Sequence, residues 1–254
     1  MPATAPSTTM ADAVASYHGY VAGRLGDLHM HATTLKAQIG NADSDGAKAT
    51  WLAAQEAWQS VGAAYGSFGE LGNAIAPGSR GLQGGAGSPD FMGLRRIEYG
   101  LWHGQGPGEL IPVVTKLLAD IDALVAHLPE TAVDPADMPL RLHEILEDSV
   151  RDHLSGLGDQ GSGMALALTR ADVDATLEVL GLLRGLLERL KPGYAATLDR
   201  ELAALSAAIE MTKAGGSWTR YTAVPLAARQ RVNGAIGRVL ESLALAPALF
   251  STEG

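Results

Sequence analysis

Two small constellations in this chain carry residue types that can hold a metal ion or move a proton. The first surrounds Glu98, in the stretch Ser88-Pro89-Asp90-Phe91-Met92-Gly93-Leu94-Arg95-Arg96-Ile97-Glu98-Tyr99-Gly100-Leu101-Trp102-His103. On a helix, Phe91, Leu94, Ile97, Leu101 and Trp102 share one apolar arc, and Glu98 falls inside that arc. A carboxylate facing a core needs a cation, a metal or hydrogen-bond donors, because burying it unpaired costs several kcal/mol. Arg95, one turn upstream, is placed for an i,i+3 ion pair with Glu98. Glu98 therefore reads either as a metal-binding or proton-handling carboxylate or as half of an ion pair that fixes the helix. The residues alone favour the ion pair.

The second constellation is His143 and Glu147, four apart on one helical face, a spacing at which two groups can share a metal. It is not the HExxH zinc motif, since the fifth position is Glu147. The plainer reading is a histidine at the edge of the apolar arc, bonded to a carboxylate. His153 projects near the centre of the same arc and reads as a core histidine. His29 and His31 are two apart and face different sides, and His103 lies just past the Glu98 helix, able to reach back.

The elements that must position these groups all read as helices. Ser88 as cap and Pro89 at the first helical position start the Glu98 helix, and His103 to Gly108 closes it. Before it come a helix over about Met10–Ile39 and another from Asp43 or Ser44 through Trp51 and Trp58 to about Phe68. The glycine-rich stretch Gly69–Gly87 follows as a long loop, of a length that is often functional. After the Glu98 helix, helical spacing covers about Glu109–Leu128, Leu140–Leu154, Met164–Leu190, Tyr194–Thr212 and Pro225–Leu243. The expected fold is all-α: a flexible N-terminal segment over 1–10, a first antiparallel helical bundle over 11–128, a linker over 129–139 and a second bundle over 140–250. A faint echo links the halves: Gly87-Ser88 leads to Arg96-Ile97-Glu98, and Gly161-Ser162-Gly163 leads to Asp172-Val173-Asp174.

Composition narrows the classes. With 254 residues the chain can bury a large core, and its richness in alanine and leucine with few β-branched or aromatic residues favours helix. A net charge of -9 argues against a nucleic-acid partner. The absence of cysteine removes disulfides, thiolate metal sites and cysteine nucleophiles. No apolar run approaches a membrane span, and Met1–Thr9 shows no export signal, reading instead as a tether or a trimmed terminus. No phosphate-cradling GxGxxG or GxxxxGK[ST] and no GxSxG elbow stands out.

Several segments, in order, resemble the imelysin-like family, and within it the EfeO/EfeM-type components of bacterial iron uptake. Ser67-Phe68-Gly69-Glu70-Leu71 is similar to the family's ESFGDL stretch, and Gly93 to Trp102 resembles its GFHRIEYGLW motif. His143-Glu144-Ile145-Leu146-Glu147 and Thr169 to Thr176 resemble later blocks, so the resemblance covers about residues 17–245. It implies two helical bundles related by a pseudo-repeat. It also implies an extracytoplasmic (periplasmic or cell-surface) binding protein, not an enzyme despite the family's peptidase label. The protein would bind iron or another divalent metal and serve the components of an iron-permease system. The chain departs from the pattern where the motif's histidine corresponds to Arg95 and two acidic positions correspond to Gly62 and Gly66. A guanidinium cannot ligate a cation, so the first-half metal site is expected to be degenerate. Glu98 would be its surviving acid and Arg95 the partner of Glu98, with His143 and Glu147 as a second candidate pair. The alternative is a scaffold or partner-binding module that keeps the fold without binding metal.

Overall fold

The computed structural model describes residues 9–131 and 133–251, so the segment read as an N-terminal tether lies almost wholly outside the described residues. The protein is all-α, with no strand among the described residues beyond an isolated bridge between Ala214 and Ser217. Helix α1 spans Met10–Gly40. Its start is fixed by reciprocal bonds: Thr9 Oγ1 accepts from the Asp12 amide at 3.1 Å, and Asp12 Oδ2 accepts from the Thr9 amide at 3.1 Å. Tyr17, Val21, Leu25, Leu28 and Leu35 form its buried stripe, at the spacing that the sequence displays. Asp43 caps α2 (Ser44–Gln59) by accepting from the Gly46 amide at 3.0 Å.

The next segment differs from the sequence expectation. The helix expected to reach Phe68 breaks after Gln59 into a 3₁₀ turn, Gly62–Ala64, and resumes as α3, Tyr65–Ile75, bent at Gly69. Gly69 has φ +53° and ψ −134°, a non-helical conformation that suits glycine and divides α3 into two short helical stretches joined at a kink. The long loop accordingly starts after Ile75, not at Gly69. The start of the Glu98 helix also moves. Ser88 Oγ accepts the Asp90 amide at 3.3 Å in a turn, and α4 runs only from Gly93 to Trp102. Gly93, at φ +72°, sets that boundary: a Cβ there would meet Ile75 O at 2.3 Å and Pro77 Cδ at 2.7 Å. A chain passing this close to the end of α3 must use glycine, and the helix cannot begin earlier.

Helix α5 (Pro107–His127) opens with Pro107 in the first turn, and Glu109 accepts from the Gly106 amide at 3.1 Å. Helix α6 (Met138–Asp148) runs on into a π-helical turn, Ser149–Leu154, so the helix expected over Leu140–Leu154 changes pitch at its end. Helices α7 (Ala165–Leu190), α8 (Tyr194–Glu210), α9 (Leu226–Leu243) and α10 (Leu245–Ser251) complete the chain. Helix α1 packs on α2 and α5, α2 packs on α4 and α7, and α7 also meets α6 and α8. The buried apolar residues form one continuous cluster, in which α7 buries residues on nearly every side. The stretch Leu226–Ser251 is long and apolar enough to cross a bilayer by length and composition. Its Val232, Ile236, Val239 and Leu243 are buried inside the fold, and α9 carries Arg229, Arg231 and Arg238, the pattern of a core helix with a wet face.

Gly93→Ala should therefore destabilise the protein by roughly 2–5 kcal/mol, combining a positive-φ penalty with steric overlap against fixed backbone. Urea unfolding would read this as a lowered midpoint at unchanged slope. An unaltered midpoint would mean that the α3–α4 junction relaxes freely.

Candidate functional site

Helix α4 aims Arg95 and Glu98 at the connection between the π turn and α7. Glu98 is 2% exposed. Its Oε1 accepts three hydrogen bonds: from the Gln160 amide at 3.0 Å, the Ser162 amide at 3.1 Å and Ser162 Oγ at 2.6 Å. The donors belong to the segment Gly158-Asp159-Gln160-Gly161-Ser162-Gly163, which leads directly into the N-terminus of α7. Amides just ahead of a helix start point at anions, and here the anion is a side chain of the protein itself.

Asp159 stabilises that segment from within, accepting from the Gly163 amide at 2.8 Å, the Gly161 amide at 3.3 Å and Ser162 Oγ at 3.2 Å. The two carboxyls titrate in opposite directions. Burial pushes Glu98 up to about 7, against the opposing pull of Ser162 and the Gln160 amide, and hydrogen bonding to Asp159 raises it further. Burial also works to raise Asp159, but the Gly163 amide, the hydrogen bond with Glu98 and the Gly161 amide outweigh it, and Asp159 ends below the usual range. A proton held between the two thus sits on Glu98.

Arg95 is not the partner of Glu98, contrary to the i,i+3 expectation. Its guanidinium turns away to Asp152 on the π turn, with Nη2 3.4 Å from Oδ2. Loop amides satisfy the carboxylate better than an arginine sharing its helix, and they leave Arg95 free to face a cleft. A second polar group lines that cleft. Asp172 Oδ1, on α7 and 3% exposed, accepts from Gln59 Nε2 at 3.1 Å. Gln59 Nε2 also lies 2.6 Å from His153 Nε2, while Gln59 Oε1 accepts from Gln55 Nε2 at 3.3 Å and lies 3.1 Å from Tyr65 Oη, whose shorter bond, at 2.8 Å, is to Trp58 O. Asp172 Oδ2 accepts no well-aligned hydrogen bond and has His153 Nε2 at 3.3 Å. His153 is buried as expected, but it faces this polar group because the π turn rotates it out of the regular helical register.

The remaining candidates lie elsewhere. His143 and Glu147 pair with each other, Nδ1 to Oε2 at 3.4 Å, and line neither the Glu98 cavity nor the adjoining cleft. Among the described residues no group of three or more histidine, aspartate or glutamate side chains stands close enough to hold a metal. Gly62 and Gly66 face α6: a Cβ at Gly62 would lie 3.3 Å from Ile145 Cγ1, and one at Gly66 would lie 2.9 Å from Arg141 Nη2. His103 bends back on its own helix, with Nδ1 2.7 Å from Tyr99 O. Sequence reasoning missed Gln55, Gln59, Asp159 and Ser162. The one available signal was a glycine-spaced Asp-Gln-Gly-Ser run directly before a helix start, a pattern suited to presenting amides to an anion.

Comparison with known proteins places this architecture. The imelysin family model, which carries a peptidase label, matches residues 13–246. The chain is 24% identical over 243 residues to the iron uptake system component EfeM of Pseudomonas syringae pv. syringae, covering 95% of this chain and 85% of that one. It is 21% identical over 236 residues to the iron uptake system component EfeO of Escherichia coli K12, covering 93% of this chain and 63% of that one. The EfeO of Shigella flexneri gives the same identity and coverage. The chain thus spans less than two thirds of the EfeO length.

Because the Glu98 carboxyl is held above its unfolded value of 4.5, the folded state binds more protons than the unfolded one between pH 4.5 and about 7. Its contribution to stability must therefore fall as pH rises through that window, by an amount on the order of 3 kcal/mol. Glu98→Gln keeps the acceptor oxygen and replaces the acidic proton with a permanent N–H. It should match the wild type near pH 4.5 and exceed it above pH 7 in thermal or urea unfolding. A wild-type advantage at high pH would show that the ionised carboxylate is the better-bound form.

Proposed function

The chain belongs to the imelysin family, and from that premise we propose that it is an extracytoplasmic binding component of bacterial iron uptake whose first-half metal site no longer holds a bare ion. The association with iron uptake rests on relatives that bear that name along almost the whole of this chain. Its cargo would be iron or a similar divalent metal, and its partners the other components of an iron-permease system. The reading assigns it no catalysis, in keeping with a sequence that has no HExxH and no cysteine.

The observation that carries the degenerate site is the state of Glu98. One of its two oxygens, Oε1, already accepts three hydrogen bonds from the loop before α7. A cation would have to displace those donors and accept a permanent guanidinium, Arg95, one helical turn away. His143 and Glu147 remain the pair of donors that a divalent ion could take, on a partly exposed face where two ligands give weak binding.

Isothermal titration of ferrous, ferric, cupric and zinc ions into metal-stripped protein should give only weak binding, reduced further by Glu147→Ala. Arg95→His should strengthen it. Tight wild-type binding that Glu98→Ala abolishes would overturn the degenerate site. Iron accumulation by a bacterium lacking the protein, with and without the gene restored, tests the uptake role separately.

A further inference from the structure

A cleft of about 420 Å³ lies beside Arg95, with Gln55, Gln59, Tyr65 and His153 among its walls. A second depression of about 550 Å³ shares Arg95, Arg151 and Asp152 with it and adds Arg80. These volumes are in the range of small-molecule sites. We propose that the cleft binds a small hydroxycarboxylate anion, its carboxylates held by Arg95 and Arg80 and its hydroxyl by Gln55.

The cleft sets Arg95 and Arg151 against Asp148 and Asp152, and the adjoining depression adds Arg80, so the two together carry a net positive charge. Arg151 engages both acids there, reaching Asp148 at 2.7 Å and Asp152 at 3.3 Å. Arg95 has five N–H donors and spends one on a long bond to Asp152, at 3.4 Å. Arg80 is exposed and has no ion pair among the described residues. Two guanidinium groups are thus largely uncommitted, Arg95 in the cleft and Arg80 in the depression that adjoins it, and the planar fork of each matches a carboxylate.

The hydroxyl follows from hydrogen-bond direction. Asp172 Oδ1 can only accept here, so the end of Gln59 that meets it must be Nε2. Gln59 Oε1 then faces Tyr65 and Gln55, so Gln55 must present its Nε2 to it. That leaves Gln55 Oε1 as an acceptor without a partner, on a side chain only 3% exposed that lines the cleft. An orphaned buried acceptor costs free energy until a donor meets it, and no carboxylate ionised at neutral pH can supply one. A ligand satisfying both Arg95 and Gln55 therefore carries anionic oxygens and a hydroxyl together. Inorganic phosphate offers both but fills only a small part of the cleft, which favours the larger hydroxy acid.

This inference does not depend on the iron-uptake reading, and its test uses metal-stripped protein and metal-free acids. Isothermal titration would compare malate with succinate and citrate with tricarballylate, each pair differing by one hydroxyl, alongside inorganic phosphate. At least one hydroxy acid should bind about tenfold more tightly than its partner lacking the hydroxyl, and more tightly than phosphate. Arg95→Gln should weaken it at least tenfold. Gln55→Leu should remove the preference within the pair, with thermal unfolding as the check on its fold. Should that variant fail to fold, the wild-type ratios and Arg95→Gln still decide. The proposal is overturned if no acid gives heat at millimolar concentration, if the pairs bind equally, if phosphate binds most tightly, or if Arg95→Gln binds as the wild type does.

Discussion

A buried carboxylate must be answered, and in this protein the answer comes from backbone. Glu98 Oε1 draws the amides of Gln160 and Ser162 and the Ser162 hydroxyl onto itself. The segment before α7 is thereby tied to α4, although 62 residues of chain separate Glu98 from Gln160. Removing one side of such an arrangement leaves either a bare buried acid or several unpaired amides, each costly. The position of α7, the most thoroughly buried helix, is thus linked to one side chain on a ten-residue helix.

That link also explains the shape of the polar interior. With Glu98 engaged by the loop, Arg95 is left to Asp152, which takes one of its donors. The π turn delivers Asp152 and His153 together, and His153 then completes the group of Gln55, Gln59, Tyr65 and Asp172. The polar side chains therefore divide into two neighbouring sets. One is closed, with Glu98, Asp159 and Ser162 satisfying each other. The other is open, with Arg95 on the wall of a cleft and a buried amide oxygen of Gln55, another wall residue, left without a partner.

The iron-uptake names of the relatives and the chemistry of this interior point in partly different directions. The names make those relatives components of iron uptake systems. Arg95 on the cleft wall speaks for an oxyanion, since a guanidinium offers only donors and cannot ligate a cation. Two features of the fold keep the open set open: Gly93 holds α4 tight against the end of α3, and the bend at Gly69 carries the chain past the cleft.

Helix type and the burial of particular positions needed only the sequence, because periodicity and composition are local properties. The stripe of Tyr17, Val21, Leu25, Leu28 and Leu35 and the inward placement of Glu98 both follow from a 3.6-residue repeat. Where a helix stops was less legible: the break after Gln59, the start at Gly93 and the π turn at Ser149 each depend on a neighbouring element that the chain meets only after folding. The partners of Glu98 and Arg95 were beyond reach for the same reason. Spacing offers Arg95 to Glu98 because they share a turn, but three donors supplied from across the structure bind a carboxylate better than one neighbour on its own helix. Local pattern proposes pairs within an element, and tertiary packing chooses among all donors brought within reach.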